Sequence, residues 1–175
     1  PTGTTSMDGP KQIGTGGWQN FKTVFSGGKG VLYAINNDGN LIWYRHNGYL
    51  VGNTDITAPK TIGIGGWQNY KSVFSGGPGI IYAISNDGNL FWYKHIGYET
   101  GTVEMTAAIK IGIGGWNNPK DVFAAGRGII YAITTDGNLQ WLKHIGYENG
   151  TSGLLGPENV GIGGWQNFKK VFSGN

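Results

Sequence analysis

Residues 62–84 read IGIGGWQNYKSVFSGGPGIIYAI, and closely similar strings stand 49 residues before and after. The Gly-Gly-Trp inside the string puts tryptophan at Trp18, Trp67, Trp116 and Trp165, each 49 from the next. Asp-Gly-Asn-Leu, beginning at Asp38, Asp87 and Asp136, and His-x-Gly-Tyr, beginning at His46, His95 and His144, keep the same interval. A fixed period of this size marks a supersecondary unit that stacks on copies of itself, because one unit alone cannot bury its apolar face. The 175 residues hold about 3.6 such units, drawn as 11–59, 60–108, 109–157 and a partial 158–175 in one domain over 1–175.

Within the second unit the apolar runs are short, β-branched or aromatic, and bounded by turn residues, which predicts strands. Residues 70–75 form a first strand closed by Gly76-Gly77-Pro78-Gly79, and 80–85 a second closed by Asn86-Asp87-Gly88-Asn89. Residues 90–95 form a third, and 108–113 a fourth that ends at Gly114-Gly115. Asp-Gly supplies the positive φ that a tight hairpin needs. No window carries a capped amphipathic helix. Four antiparallel strands in every unit of this length predict an all-β chain of propeller blades.

Composition narrows the function classes. The 34 glycines follow no Gly-X-Y period, which excludes collagen, and 7 Trp, 9 Tyr and 7 Phe are too many for a disordered segment. Without cysteine there is neither a disulfide framework nor a thiol nucleophile. The 13 lysines and arginines are scattered over a chain of net charge +3, so no phosphate-tracking stripe points to nucleic acid. No apolar run approaches the ~20 residues of a membrane-spanning helix, so membrane insertion is not expected. Catalysis finds little support: no Ser-His-Asp or Cys-His arrangement is visible, and the ten acidic residues are mostly in turns or isolated on loops, without the carboxylate pair of a glycosidase. The glycine-rich turns lack the Gly-Lys-Ser/Thr of a phosphate loop. No cofactor is implied.

The units resemble the repeat of the tachylectin family, in which an I-G-x-G-G-W-x-x-F-K segment leads into the innermost strand and a G-x-L-Y-A/G-V/I segment forms the next. The resemblance runs from about Lys11 to Gly174. It implies a propeller of four-stranded blades and a lectin that binds N-acetylated sugars such as GlcNAc or GalNAc at near-equivalent sites around the ring. One segment departs from it. Animal members carry Asp-Asn-Trp before the fourth strand, where this chain has Gly48-Tyr49, Gly97-Tyr98 and Gly146-Tyr147 before Gly/Thr-rich loops.

The candidate sugar contacts are the retained types Trp43, His46, Tyr49 and Asn69, with Trp92, His95, Tyr98 and Asn118, and Trp141, His144, Tyr147 and Asn167 as their copies. Each type has two readings. Strand three alternates, so Leu90, Trp92 and Lys94 share one face, and a Trp two residues before a cation is either a stacking platform for a pyranose or packing between blades under a snorkelling Lys. The Trp of Gly-Gly-Trp is either core between blades or a pocket wall beside Asn20, Asn69, Asn118 and Asn167. The histidines stand one per blade and cannot share a metal ion, which leaves hydrogen bonding to strand-end backbone or to a sugar hydroxyl. The tyrosines lie in a loop, where core packing explains an aromatic less well. Asp38, Asp87 and Asp136 are turn residues.

The expected function is therefore a multivalent, non-catalytic lectin, in which weak identical sites gain strength from simultaneous engagement. A propeller scaffold for protein binding is the rival, favoured by the divergence of loops 50–59, 99–108 and 148–159, and a trimmed or reconstructed piece of a larger propeller is a third possibility. An extracellular or secreted location is expected. Because a ring exposes no strand edges only when closed, a chain of about 3.6 units is expected to complete it by oligomerisation. A head-to-tail homodimer of about seven blades is favoured.

Overall fold

The computed structural model describes residues 9–173. Residues 1–8 and 174–175 of the expected domain lie outside the described residues. Three four-stranded antiparallel sheets follow one another along the chain. The first holds β1 (Thr23–Gly28), β2 (Val31–Ile35), β3 (Leu41–Arg45) and β4 (Lys60–Gly63), paired in that order. The second holds β5 (Tyr70–Gly77), β6 (Ile80–Ser85), β7 (Leu90–Lys94) and β8 (Ile109–Gly112). The third holds β9 (Asp121–Gly126), β10 (Ile129–Ile133), β11 (Leu139–Gly146) and β12 (Thr151–Gly161). The first two sheets take their outermost strand from the start of the next sequence unit, and β12 runs across the boundary at 157/158, so sheets and sequence repeats are out of phase.

The strand ends follow local chemistry. At the β6–β7 hairpin Gly88 has φ +81°, and a hydrogen bond from its N–H to the Ser85 carbonyl closes the turn. Only glycine adopts that φ without a Cβ clash. Two features depart from the sequence expectation. Trp18–Asn20, Trp67–Asn69 and Trp165–Asn167 each form a single 3-10 turn. The stretch after His144 pairs as a long bulged hairpin, β11 with β12, where a loose loop was expected, because Leu154 and Leu155 continue opposite His144 and Lys143.

Cross-strand register builds the core. Tyr33 lies opposite Phe25 on one side and Trp43 on the other, and the same row recurs as Phe74-Tyr82-Trp92 and Phe123-Tyr131-Trp141. In the first two sheets this aromatic face meets the next sheet. Tyr33 and Trp43 are buried against Val73, Ile81 and Ala83. Phe74, Tyr82 and Trp92 are buried against Val122, Ile130 and Leu142. The innermost strands β1, β5 and β9, with segment 170–173, surround a cavity of about 300 Å³. Residues 170–173 follow the Trp165–Asn167 turn as β1 follows Trp18–Asn20 and stand beside β9, where the Ser173 hydroxyl donates to the Ala124 carbonyl. The arrangement is propeller-like.

Candidate functional site

At each seam the loop that follows one sheet's third strand folds over the outer edge of the preceding sheet. Between the first and second sheets, the Trp43 indole N–H donates to the Tyr98 carbonyl at 2.9 Å, and Tyr98 sends its hydroxyl to the Gly28 carbonyl at 2.7 Å. Cations pin the same loop from outside: Arg45 donates to the Glu99 carbonyl and Lys60 to the Thr100 carbonyl, with the Lys60 ammonium 5.3 Å from the Trp43 ring centroid. The next seam repeats this with Trp92 to the Tyr147 carbonyl at 2.8 Å and Lys94 to the Glu148 carbonyl at 3.0 Å.

His95 and His144 are built into these seams. His95 is bound at Nδ1 to the Tyr33 hydroxyl, 2.9 Å away in the neighbouring sheet, and at Nε2 to the Thr102 carbonyl at 2.8 Å. A carbonyl can only accept, so Nε2 carries the hydrogen and Nδ1 accepts from the tyrosine. His144 makes the same pair with Tyr82 and Thr151, and His46 bonds the Asn53 carbonyl through Nε2. Burial holds His95 and His144 below the ordinary imidazole value and pushes the Tyr33 hydroxyl up, so the neutral pair is the stable one.

A pH dependence follows. The unfolded chain takes up protons on its histidines near pH 6.5, whereas the folded seam resists them. Stability is therefore fully present above about pH 6.5 and is lost as pH falls through the depressed folded values. Urea unfolding between pH 7.5 and 5 is expected to show it, in a window above the ordinary carboxylate range, and a flat profile would contradict the assignment.

The structure splits the twelve sequence candidates. Trp43 and Trp92 are each 1% accessible, so their ring faces are not open to a pyranose. His46, His95, His144 and Tyr98 are likewise buried. Their hydrogen-bonding groups are engaged by the protein itself, those of His95, His144 and Tyr98 across a seam and that of His46 within its own loop. Trp141 and Tyr147 are half-buried, and Tyr49 is exposed. Asn69, Asn118 and Asn167 are exposed, but not beside the tyrosines. Asn69 closes the turn whose Trp67 N–H donates to the Gly39 carbonyl, at one end of β3, while His46 and Tyr49 follow the other end. Five strand residues put roughly 15 Å between those ends. Asn69 therefore stands at the opposite end of β3 from His46 and Tyr49.

The asparagine end of the molecule has a constellation of its own. Asn86 donates to the Asn69 carbonyl at 2.9 Å, Asn117 donates to the Asn86 carbonyl at 2.8 Å, and Lys71 reaches the Asn117 carbonyl. Lys22 and Lys120 repeat the last contact on the carbonyls of Gln68 and Gln166. Ile64, Ile113 and Ile162 project from the Gly-Gly-Trp loops at 91%, 87% and 90% accessibility. Sequence reasoning passed over these isoleucines and lysines, although the 49-residue interval marks both. It also passed over Tyr33 and Tyr82, the partners of the histidines. Among the described residues no three His, Asp or Glu side chains gather as a metal site.

A family model described as Tachylectin matches residues 4–175. A solved structure reported under "The de novo evolutionary emergence of a symmetrical protein is shaped by folding constraints" superposes with a TM-score of 0.59 at 24% identity. The match takes in 91% of this chain and 65% of that one, so the chain spans less than two thirds of its length. Comparison with curated proteins found no match.

Proposed function

The chain belongs to the tachylectin family, and on that premise we propose that it binds N-acetylated sugars at repeated sites on the rim formed by the Gly-Gly-Trp loops. The family is lectin-like and generally non-catalytic, and the proposal is of binding without chemistry. The observation that carries it is the recurrence, at one interval of 49, of an exposed isoleucine followed within seven residues by an exposed asparagine and an exposed lysine, as Ile64, Asn69 and Lys71. A hexose offers hydroxyls that amides and an ammonium can bond, and its apolar patches cover an aliphatic side chain. Single isolated apolar residues on a surface are ordinary, whereas one retained in three successive loops calls for a partner.

Asn69, Asn118 and Asn167 are the direct contacts in this proposal, and Trp43, Trp92, His95 and His144 serve by holding the sheets that present them. Sites of this shallow kind bind weakly, on the order of millimolar, and several of them act together on a decorated surface. Titration with GlcNAc is expected to shift the NMR signals of Asn118 and the indole of Trp116 two residues before it. Asn118→Ala should abolish the shift at that loop and leave the one at Asn69. Absence of any perturbation by GlcNAc or GalNAc at tens of millimolar would sink the proposal.

A further inference from the structure

The Gly-Gly-Trp loops hold a hydrogen-bond donor that the protein does not use. In each loop the indole folds back over the glycine four residues earlier, Trp18 over Gly14, Trp67 over Gly63, Trp116 over Gly112 and Trp165 over Gly161. A Cβ built on Gly63 would stand 2.5 Å from Nε1 of Trp67, so only glycine lets the N–H edge of the ring lie there, and the other three pairs are as close. Trp43 and Trp92 donate their indole N–H groups to carbonyls across a seam. Those of Trp67 and Trp116 meet no acceptor among the described residues, although each ring packs in a cluster shared by two described sheets. Trp67 is 8% accessible, so its N–H is an unpaired polar group on a side chain more than nine-tenths buried. That nitrogen is not sealed from the surface: among the described residues, the fully buried side-chain polar atoms without a partner are Oε1 of Gln68 and Oε1 of Gln166.

The loop holds this donor in place. The Gly65 N–H donates to Oδ1 of Asn40 at 3.0 Å and the Trp67 N–H to the Gly39 carbonyl at 3.2 Å, which ties the backbone to the Asp-Gly-Asn hairpin on both sides of Gly66. Asn89 with Gly88, and Asn138 with Gly137, tie the next two loops in the same way. A donor fixed before its ligand arrives loses little freedom on binding. The exposed Ile64, Ile113 and Ile162 directly follow the overlaid glycines in the chain. Each of these loops thus offers one unused donor and one apolar side chain from neighbouring positions.

Resting on the reading of this rim as a sugar site, we propose that the indole N–H of each Gly-Gly-Trp loop donates to the carbonyl of the sugar's acetamido group while the isoleucine covers its methyl. An acetamido group carries a carbonyl acceptor and a methyl on one carbon, a pairing that a hydroxyl lacks. The loop therefore discriminates an N-acetylated hexose from the parent hexose, because a site built around a hydrogen bond rejects the analogue that cannot make it. Asn40, Asn89 and Asn138 are positioning residues here: they bond the loop backbone, and the indole meets the ligand.

NMR titration of the full 175-residue chain with GlcNAc and with glucose tests this. GlcNAc is expected to shift the indole Hε1 signals of Trp67 and Trp116, to slow their exchange with solvent, to leave those of Trp43 and Trp92 in place, and to bind about tenfold tighter than glucose. Trp116→Phe keeps an aromatic ring and removes the N–H. At that loop, read from the Asn118 amide, the preference for GlcNAc should fall to near parity, while the Trp67 loop keeps it. Asn118 shifts that leave every loop indole still, or an undiminished preference in Trp116→Phe, overturn this inference and leave the sugar reading standing. No perturbation by either sugar overturns both. The indole signals of the unsubstituted chain decide the question even where Trp116→Phe does not fold.

Discussion

Trp92→Ala is expected to lower the unfolding free energy by about 3–5 kcal/mol, the range for deleting a large buried aromatic. Trp92 is 1% accessible and stands in the cross-strand row with Phe74 and Tyr82, pressed on Val122 and Leu142 of the third sheet. Alanine would leave a cavity that two sheets cannot collapse into without breaking register. It would also orphan the Tyr147 carbonyl, which accepts the indole N–H at 2.8 Å. Chemical denaturation monitored by far-UV circular dichroism measures the loss. A decrease under 1 kcal/mol would mean that the seam between the second and third sheets contributes little to folding. Trp141→Ala provides the control, because the same residue type in the same register is only half-buried there.

Gly150→Ala is expected to be nearly as damaging although it adds only one methyl group. Gly150 has φ +79°, and a Cβ built there would lie 2.5 Å from Cε3 of Trp92 and 2.7 Å from Cδ1 of Ile109. The left-handed backbone costs an L-residue about 1–2 kcal/mol. Overpacking against a held indole adds about 1–3 kcal/mol. Gly101 meets Trp43 in the same way, with φ +70° and a closest approach of 2.3 Å, so Gly101→Ala should behave alike. Thermal unfolding with near-UV circular dichroism at the tryptophan bands follows both, and a mutant as stable as the parent would show that the loop is free to lift from the indole.

Much of the fold was legible because its signals are local. The expected strand at 80–85 is β6 (Ile80–Ser85) to the residue, since a β-branched run between a glycine turn and Asn-Asp-Gly-Asn has one extended solution. The strand expected at 90–95 ends as β7 at Lys94, because His95 leaves the ladder to a single bridge with Met105 and turns its ring toward Tyr33. The 3-10 turns at Trp-Gln-Asn escaped notice, since three residues carry no periodicity. For the site, alternation correctly placed Leu90 and Trp92 on a common face.

Alternation assigns a side chain to a face of its strand and is silent on what covers that face. The order and spacing of strands, the hairpins and the identity of the repeated residues were determined by the sequence alone, because each depends on neighbours within a few positions or on an interval that can be counted. Whether Trp92 is a sugar platform or a core residue was decided only when the third sheet closed over it, and whether Tyr49 resembles Tyr98 was decided by the absence of a described sheet on that side. Both outcomes rest on contacts between residues about 55 positions apart. A periodic sequence repeats the residue but not its surroundings, so equal letters at positions 43, 92 and 141 become two buried indoles and one half-exposed.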